Sequence, residues 1–143
     1  VAQDQILSTF EQLTGAFFLV MIVLASVALL VGGIGVMAVM MVSVTDRTQE
    51  IGLRRAVGAT RRDILVQFLI EAGTLTGIGG VLGIVVGLLG ASLVSFALGL
   101  VPEVPTGIAV IAVVTSVGIG VVFGVVPARR ASRLDPVEAL RYE

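Results

Sequence analysis

The chain has 143 residues, of which 57% are hydrophobic and 13% charged, about half the charged share of an ordinary soluble domain. Its net charge is −1, and it contains neither Cys nor His. That composition points to a membrane protein and excludes disulfides, thiolate zinc sites and imidazole acid–base chemistry. No metal-ligand set, catalytic constellation or nucleic-acid motif stands out.

The chain begins at Val1. Its first apolar run is too long for a signal peptide and lacks a basic flank, so the C-terminal piece of a longer polypeptide is expected. Ile6, Phe10, Leu13, Phe17, Val20, Leu24, Val27, Val31, Ile34, Ala38 and Met41 repeat at alternating spacings of four and three. This heptad seam starts before the apolar run and predicts one helix extending outward from the bilayer by roughly 15 Å.

Three intervals, 12–45, 72–102 and 104–128, carry no charge. A transmembrane helix needs about 20 apolar residues, so each interval holds one span, expected at Phe17–Met41, Ala72–Leu98 and Ile108–Val126. Three buried helices of a soluble bundle would each need a polar face, and these runs have none. No ionisable residue lies inside a span, which argues against an ion-coupled carrier.

All nine basic residues are arginines on alternate segments. Arg47, Arg54, Arg55, Arg61 and Arg62 lie between the first two spans, and Arg129, Arg130, Arg133 and Arg141 follow the third. The positive-inside rule therefore puts the N-terminus outside and the C-terminus in the cytoplasm.

Between the first two spans, Asp46-Arg-Thr-Gln49 has capping-box spacing, and Gly58 suits a left-handed helix end. A helix of about eleven residues fits between them. Arg47, Glu50 and Arg54 fall on one face as the outward contact, and Ile51 and Leu53 are the expected inward anchors. A second start, Thr60-Arg-Arg-Asp63, leads into the next span. The residues alone leave two readings of this loop equal: arginines touching anionic headgroups, or a docking surface for a soluble partner.

Small residues recur every four positions on the later spans, at Gly79, Gly83, Gly87 and Ala91, with Gly73 and Gly77 on a neighbouring stripe, and at Ala112, Ser116, Gly120, Gly124 and Ala128. Such runs predict close helix–helix packing. Asp135-Pro-Val-Glu138 is a helix start and predicts a short tail helix from Pro136 to about Leu140.

The segments RTQEIGLRRAVGATRRDI (47–64), FLIEA (68–72) and PARRASRLDPVEALR (127–141) together resemble the MacB/FtsX-like permease family, over nearly the whole chain, with the macrolide-exporter branch favoured by the intact DPVEAL tail. The resemblance implies four membrane helices in the full protein, a large extracytoplasmic domain between the first and second, and a chain that starts at the second. It implies a dimer of permeases with two copies of an ABC nucleotide-binding ATPase subunit or domain, and a periplasmic adaptor as a further partner. It also implies mechanotransmission, in which ATP-driven motion is relayed outward, with Arg47, Glu50, Ile51, Leu53, Arg54 and Arg55 on the coupling helix that meets the ATPase. No G-x-x-x-x-G-K-[ST] occurs, so ATP, the one implied cofactor, belongs on the partner.

The expected architecture is an all-α membrane protein of the bacterial inner membrane. It comprises a stalk extension (1–16), a span (17–41), the coupling helix and turn (46–63), a span with its lead-in (64–98), an outer loop (99–107), a span (108–126) and a cytoplasmic tail (127–143). The competing expectation is a small structural membrane protein without an ATPase partner, its arginines touching lipid only.

Overall fold

The computed structural model describes residues 2–99, 106–135, 137 and 139. The described residues form four α-helices: α1 (Ala2–Asp46), α2 (Thr48–Ala56), α3 (Arg61–Leu98) and α4 (Thr106–Ser132). Three of them, over Gln5–Asp46, Arg61–Leu98 and Gly107–Ser132, are long and apolar enough to cross a membrane. The expected outer loop falls outside the described residues except for Gly99, Thr106 and Gly107, as do Pro136, Glu138 and Leu140 of the expected tail helix. Of that tail, the Val137 N–H donates to Asp135 Oδ1 at 2.9 Å and the Ala139 N–H to the Asp135 carbonyl, also at 2.9 Å. Both bonds suit an N-cap at Asp135.

The chain divides into two units between Gly32 and Gly33. The first is the leading part of α1, where Ile6, Phe10, Leu13 and Phe17 of the heptad seam are all exposed. Three of its hydroxyls turn back on the helix: Ser8 Oγ and Thr9 Oγ1 donate to the Gln5 carbonyl, and Ser26 Oγ to that of Ile22. For Ser26, inside the apolar run, this backbone bonding satisfies a group that hydrocarbon could not.

The second unit has its core at the end where the arginines gather. Met40 and Val44 of α1, Ile51 of α2, Ile64, Phe68 and Ala72 of α3, and Ala128 and Ala131 of α4 form one buried cluster. All four helices therefore meet there.

Away from that core the unit is held by α3 against α4. A Cβ at Gly124 would lie 2.7 Å from Ala72 Cβ, one at Gly120 would collide with the Thr76 side chain, and one at Gly80 would lie 2.9 Å from Ser116 Cβ. As one number falls by four the other rises by four, so the helices are antiparallel and in contact along one face. Ser116 Oγ donates across it to the Thr76 carbonyl at 2.6 Å. Of the small residues singled out on the third span, Ser116, Gly120 and Gly124 lie in this interface, and Ala128 is fully buried.

The contact within the chain does not use the 79–83–87–91 stripe of α3: a Cβ at Gly79, Gly83 or Gly87 would meet nothing within 4 Å, and Ala91 is exposed. The face that packs runs through Ala72, Gly73, Thr76, Gly77 and Gly80 instead, with Gly73 and Gly77 against Val117. The contact on α3 keeps the four-residue step, 72–76–80 against 124–120–116 of α4, but lies on a different face from the 79–83–87 stripe.

α4 continues past Val126, the expected end of the span, through the buried Pro127 to Ser132. α3 stops at Gly99, whose φ of 68° is left-handed. Most of the apolar side chains of all three long helices remain exposed, as expected where lipid is the solvent.

Candidate functional site

The arginine-flanked helix α2 has nine residues, too few to persist alone in water. It is held by its surroundings. Ile51, 3% exposed, inserts into the core, and removing such a side chain from water contributes about 1.5–3 kcal/mol.

Polar straps flank this anchor. Arg54 Nη1 donates to Gln67 Oε1 at 2.6 Å, Arg54 pairs with Glu50 one turn earlier, and Arg47 Nη1 lies 3.3 Å from Glu71 Oε1. Both ion pairs are about half exposed, and exposed pairs contribute only about 0–1 kcal/mol. The Arg54–Gln67 bond and the Arg47–Glu71 pair align α2 on α3, while Ile51 holds it there. On the same inward face, one turn after Ile51, Arg55 Nη1 donates 2.9 Å to the Ser132 carbonyl at the end of α4.

The connection to α3 is built from two opposed caps. The Gly58 N–H donates to the Arg55 carbonyl and the Ala59 N–H to that of Arg54, a Schellman closure with Gly58 at φ 113°. Thr60 and Asp63 then form a reciprocal capping box: the Asp63 N–H donates to Thr60 Oγ1, and the Thr60 N–H to Asp63 Oδ2 at 2.9 Å. Gly58 and the Thr60 box stand where the sequence put them.

Three expectations need correction. Asp46 does not cap α2, because α1 continues through it and Arg47 takes the N-cap position with no side-chain cap bond. Leu53 is not an inward anchor, being 57% exposed. It sits about 200° around the helix from Ile51, so the two cannot share a face. Arg47 and Arg54 do not point freely outward either, since both reach α3. The outward face is the stripe of Leu53, Ala56 and Val57, all exposed, with Val57 at 82%. Its signal in the sequence was that Leu53 and Val57 are four apart and opposite Ile51.

The site is thus a short helix, anchored by one apolar residue and presenting a small exposed apolar ridge. A family model for the FtsX-like permease C-terminal domain matches residues 15–136. The chain belongs to that family. Its relatives as an FtsX-like permease include the ABC transporter permease YknZ of Bacillus subtilis, 54% identical over 120 residues that cover 84% of this chain and 30% of the relative. Two more are named macrolide export ATP-binding/permease protein MacB. That of Acinetobacter baylyi is 51% identical over 142 residues, covering 98% of this chain and 21% of the relative. That of Rhodopirellula baltica is 48% identical over 132 residues, covering 92% and 19%. The FtsX-like permease chain therefore spans less than a third of these relatives.

Proposed function

We propose that this chain is the membrane-embedded part of an ABC-type efflux or mechanotransmission permease in the bacterial inner membrane, and that α2 is the helix on which a nucleotide-binding ATPase subunit or domain docks. ATP sits on that partner, two permease copies act together, and a periplasmic adaptor receives the motion on the outer side. The observation that carries the reading is the exposed Leu53–Val57 ridge on a helix whose opposite face is fastened to α1, α3 and α4. A membrane-surface helix that served topology alone would have its apolar side toward the bilayer and its arginines free. Here two of the arginines are occupied by Glu71 and Gln67.

The test is recovery of the ATPase with full-length permease carrying Leu53→Asp. A carboxylate in the middle of a docking ridge must be desolvated without a partner, so recovery should fall by at least about tenfold, the equivalent of about 1.4 kcal/mol. Undiminished recovery would leave α2 as a topology element only.

Orientation is tested separately. A cysteine at Gln5 should react with an impermeant thiol reagent added outside, and one at Thr60 should not, because the arginines fall on the other side. The reverse pattern would invert the reading.

A further inference from the structure

The last four carbonyls of a helix lack intrahelical partners and must find them elsewhere. At the end of α4 each has one. The Arg129 carbonyl accepts from Ser132 Oγ at 2.9 Å, the Arg130 carbonyl from the Arg133 N–H, and the Ala131 carbonyl from the Leu134 N–H. Those donors are local. The fourth, at Ser132, is filled from far away in sequence by the Arg55 guanidinium.

The setting makes this contact more than a surface bond. Ser132 is 4% exposed, Ala128 and Ala131 beside it are fully buried, and Arg55 is only partly exposed, with its Nε shielded from solvent. A cation at a helix C-terminus also meets the negative end of the helix dipole. Arg55 follows Ile51 by one turn, so the apolar anchor and the polar one lie on the same face of α2. Ile51 packs in the cluster that includes Ala128 and Ala131, the same stretch of α4.

We propose that Arg55 is a positioning residue that clamps α2 to the C-terminal end of α4, so that the two move as one body. The mechanical importance of the clamp rests on the reading of α2 as the docking helix, though the clamp itself does not. Displacement of α2 would then reach the membrane through α4 as well as through the short connection to α3. Arg55 is a link inside the permease and makes no contact with the ATPase.

The experiment uses full-length permease with its ATPase in detergent or nanodiscs. Spin labels go on cysteines at Glu50, off the ridge, and Arg130, both exposed, and the distance between them is read by pulsed electron spin resonance with and without ATP. The clamp predicts one narrow distribution that ATP does not change. Arg55→Met, which keeps the length of the side chain and removes its donors, should broaden it or make it shift with ATP. Arg55→Lys, which restores a cationic donor, should narrow it again. ATPase recovery by Arg55→Met should match that of the unsubstituted permease. A distribution as narrow with Arg55→Met as without it overturns the clamp, and so does one already broad or ATP-dependent in the unsubstituted protein. Loss of ATPase recovery with Arg55→Met would make Arg55 a docking residue and overturn the clamp while leaving the docking reading intact. Failure of the Leu53→Asp test would remove the docking reading and leave the clamp to be judged on the distances alone.

Discussion

Replacing Gly120 with leucine is expected to lower the thermal stability of the permease sharply, and the same change at Gly83 is not. A Cβ at Gly120 would collide with the Thr76 side chain. Thr76 cannot readily turn aside, because its hydroxyl is bonded to the carbonyls of Ala72 and Gly73 at 3.0 and 3.2 Å. The remaining escape is for α4 to move away from α3, which breaks the Ser116–Thr76 bond and loosens the contacts at Gly80 and Gly124. Overpacking of this kind typically costs about 1–3 kcal/mol, and a fixed backbone on both sides puts Gly120 at the upper end. A Cβ at Gly83 would meet nothing within 4 Å, so a leucine there only extends the apolar surface. Melting curves in detergent would compare the two variants. Equal loss at both sites would mean that the Gly83 face is covered by another helix in the assembled permease.

The second large effect is expected at Ile51. Ile51→Asp removes a buried aliphatic side chain, which alone costs about 2–5 kcal/mol, and places a carboxylate in the apolar cluster of Met40, Val44, Ile64 and Phe68. Because α2 is too short to stand alone, the expected result is detachment of the whole helix. Trypsin should then cut faster at Arg54 and Arg55. Leu53→Asp, the same chemistry two residues on, should leave stability within about 0.5 kcal/mol, since that side chain is exposed. The pair thus separates folding from docking. Similar trypsin sensitivity in both variants would show that α2 is not anchored through Ile51.

How far the sequence could be read depended on the kind of signal. The spans were legible because charge is absent from them, and Gly58 and the Thr60–Asp63 box because each encodes a backbone geometry few other residues favour. The anchor Ile51 and the ridge residue Leu53 were not distinguished, since both are simply apolar in a loop of arginines and only their angular separation tells them apart. Asp46 failed as a cap for a related reason. Capping residues mark a start only where the preceding helix has ended, and α1 had not. The packing face of α3 was hidden because glycines fall on several of its sides and no charged or strongly polar face marks the side away from the contact. The Arg55–Ser132 bond joins residues 77 apart through a backbone carbonyl, and a backbone acceptor leaves no mark in a sequence.

The back-to-back caps between α2 and α3 have a mechanical consequence. A lever loses stroke wherever its joints have play, and a flexible loop after α2 would absorb a small displacement before passing any on. Gly58, Ala59 and Thr60 each have their N–H committed, the first two to the turn behind them and the third to Asp63 ahead. With every amide of the elbow tied to a helix on one side or the other, little backlash is left. A push on the Leu53–Val57 ridge would therefore arrive at the foot of α3 nearly undiminished.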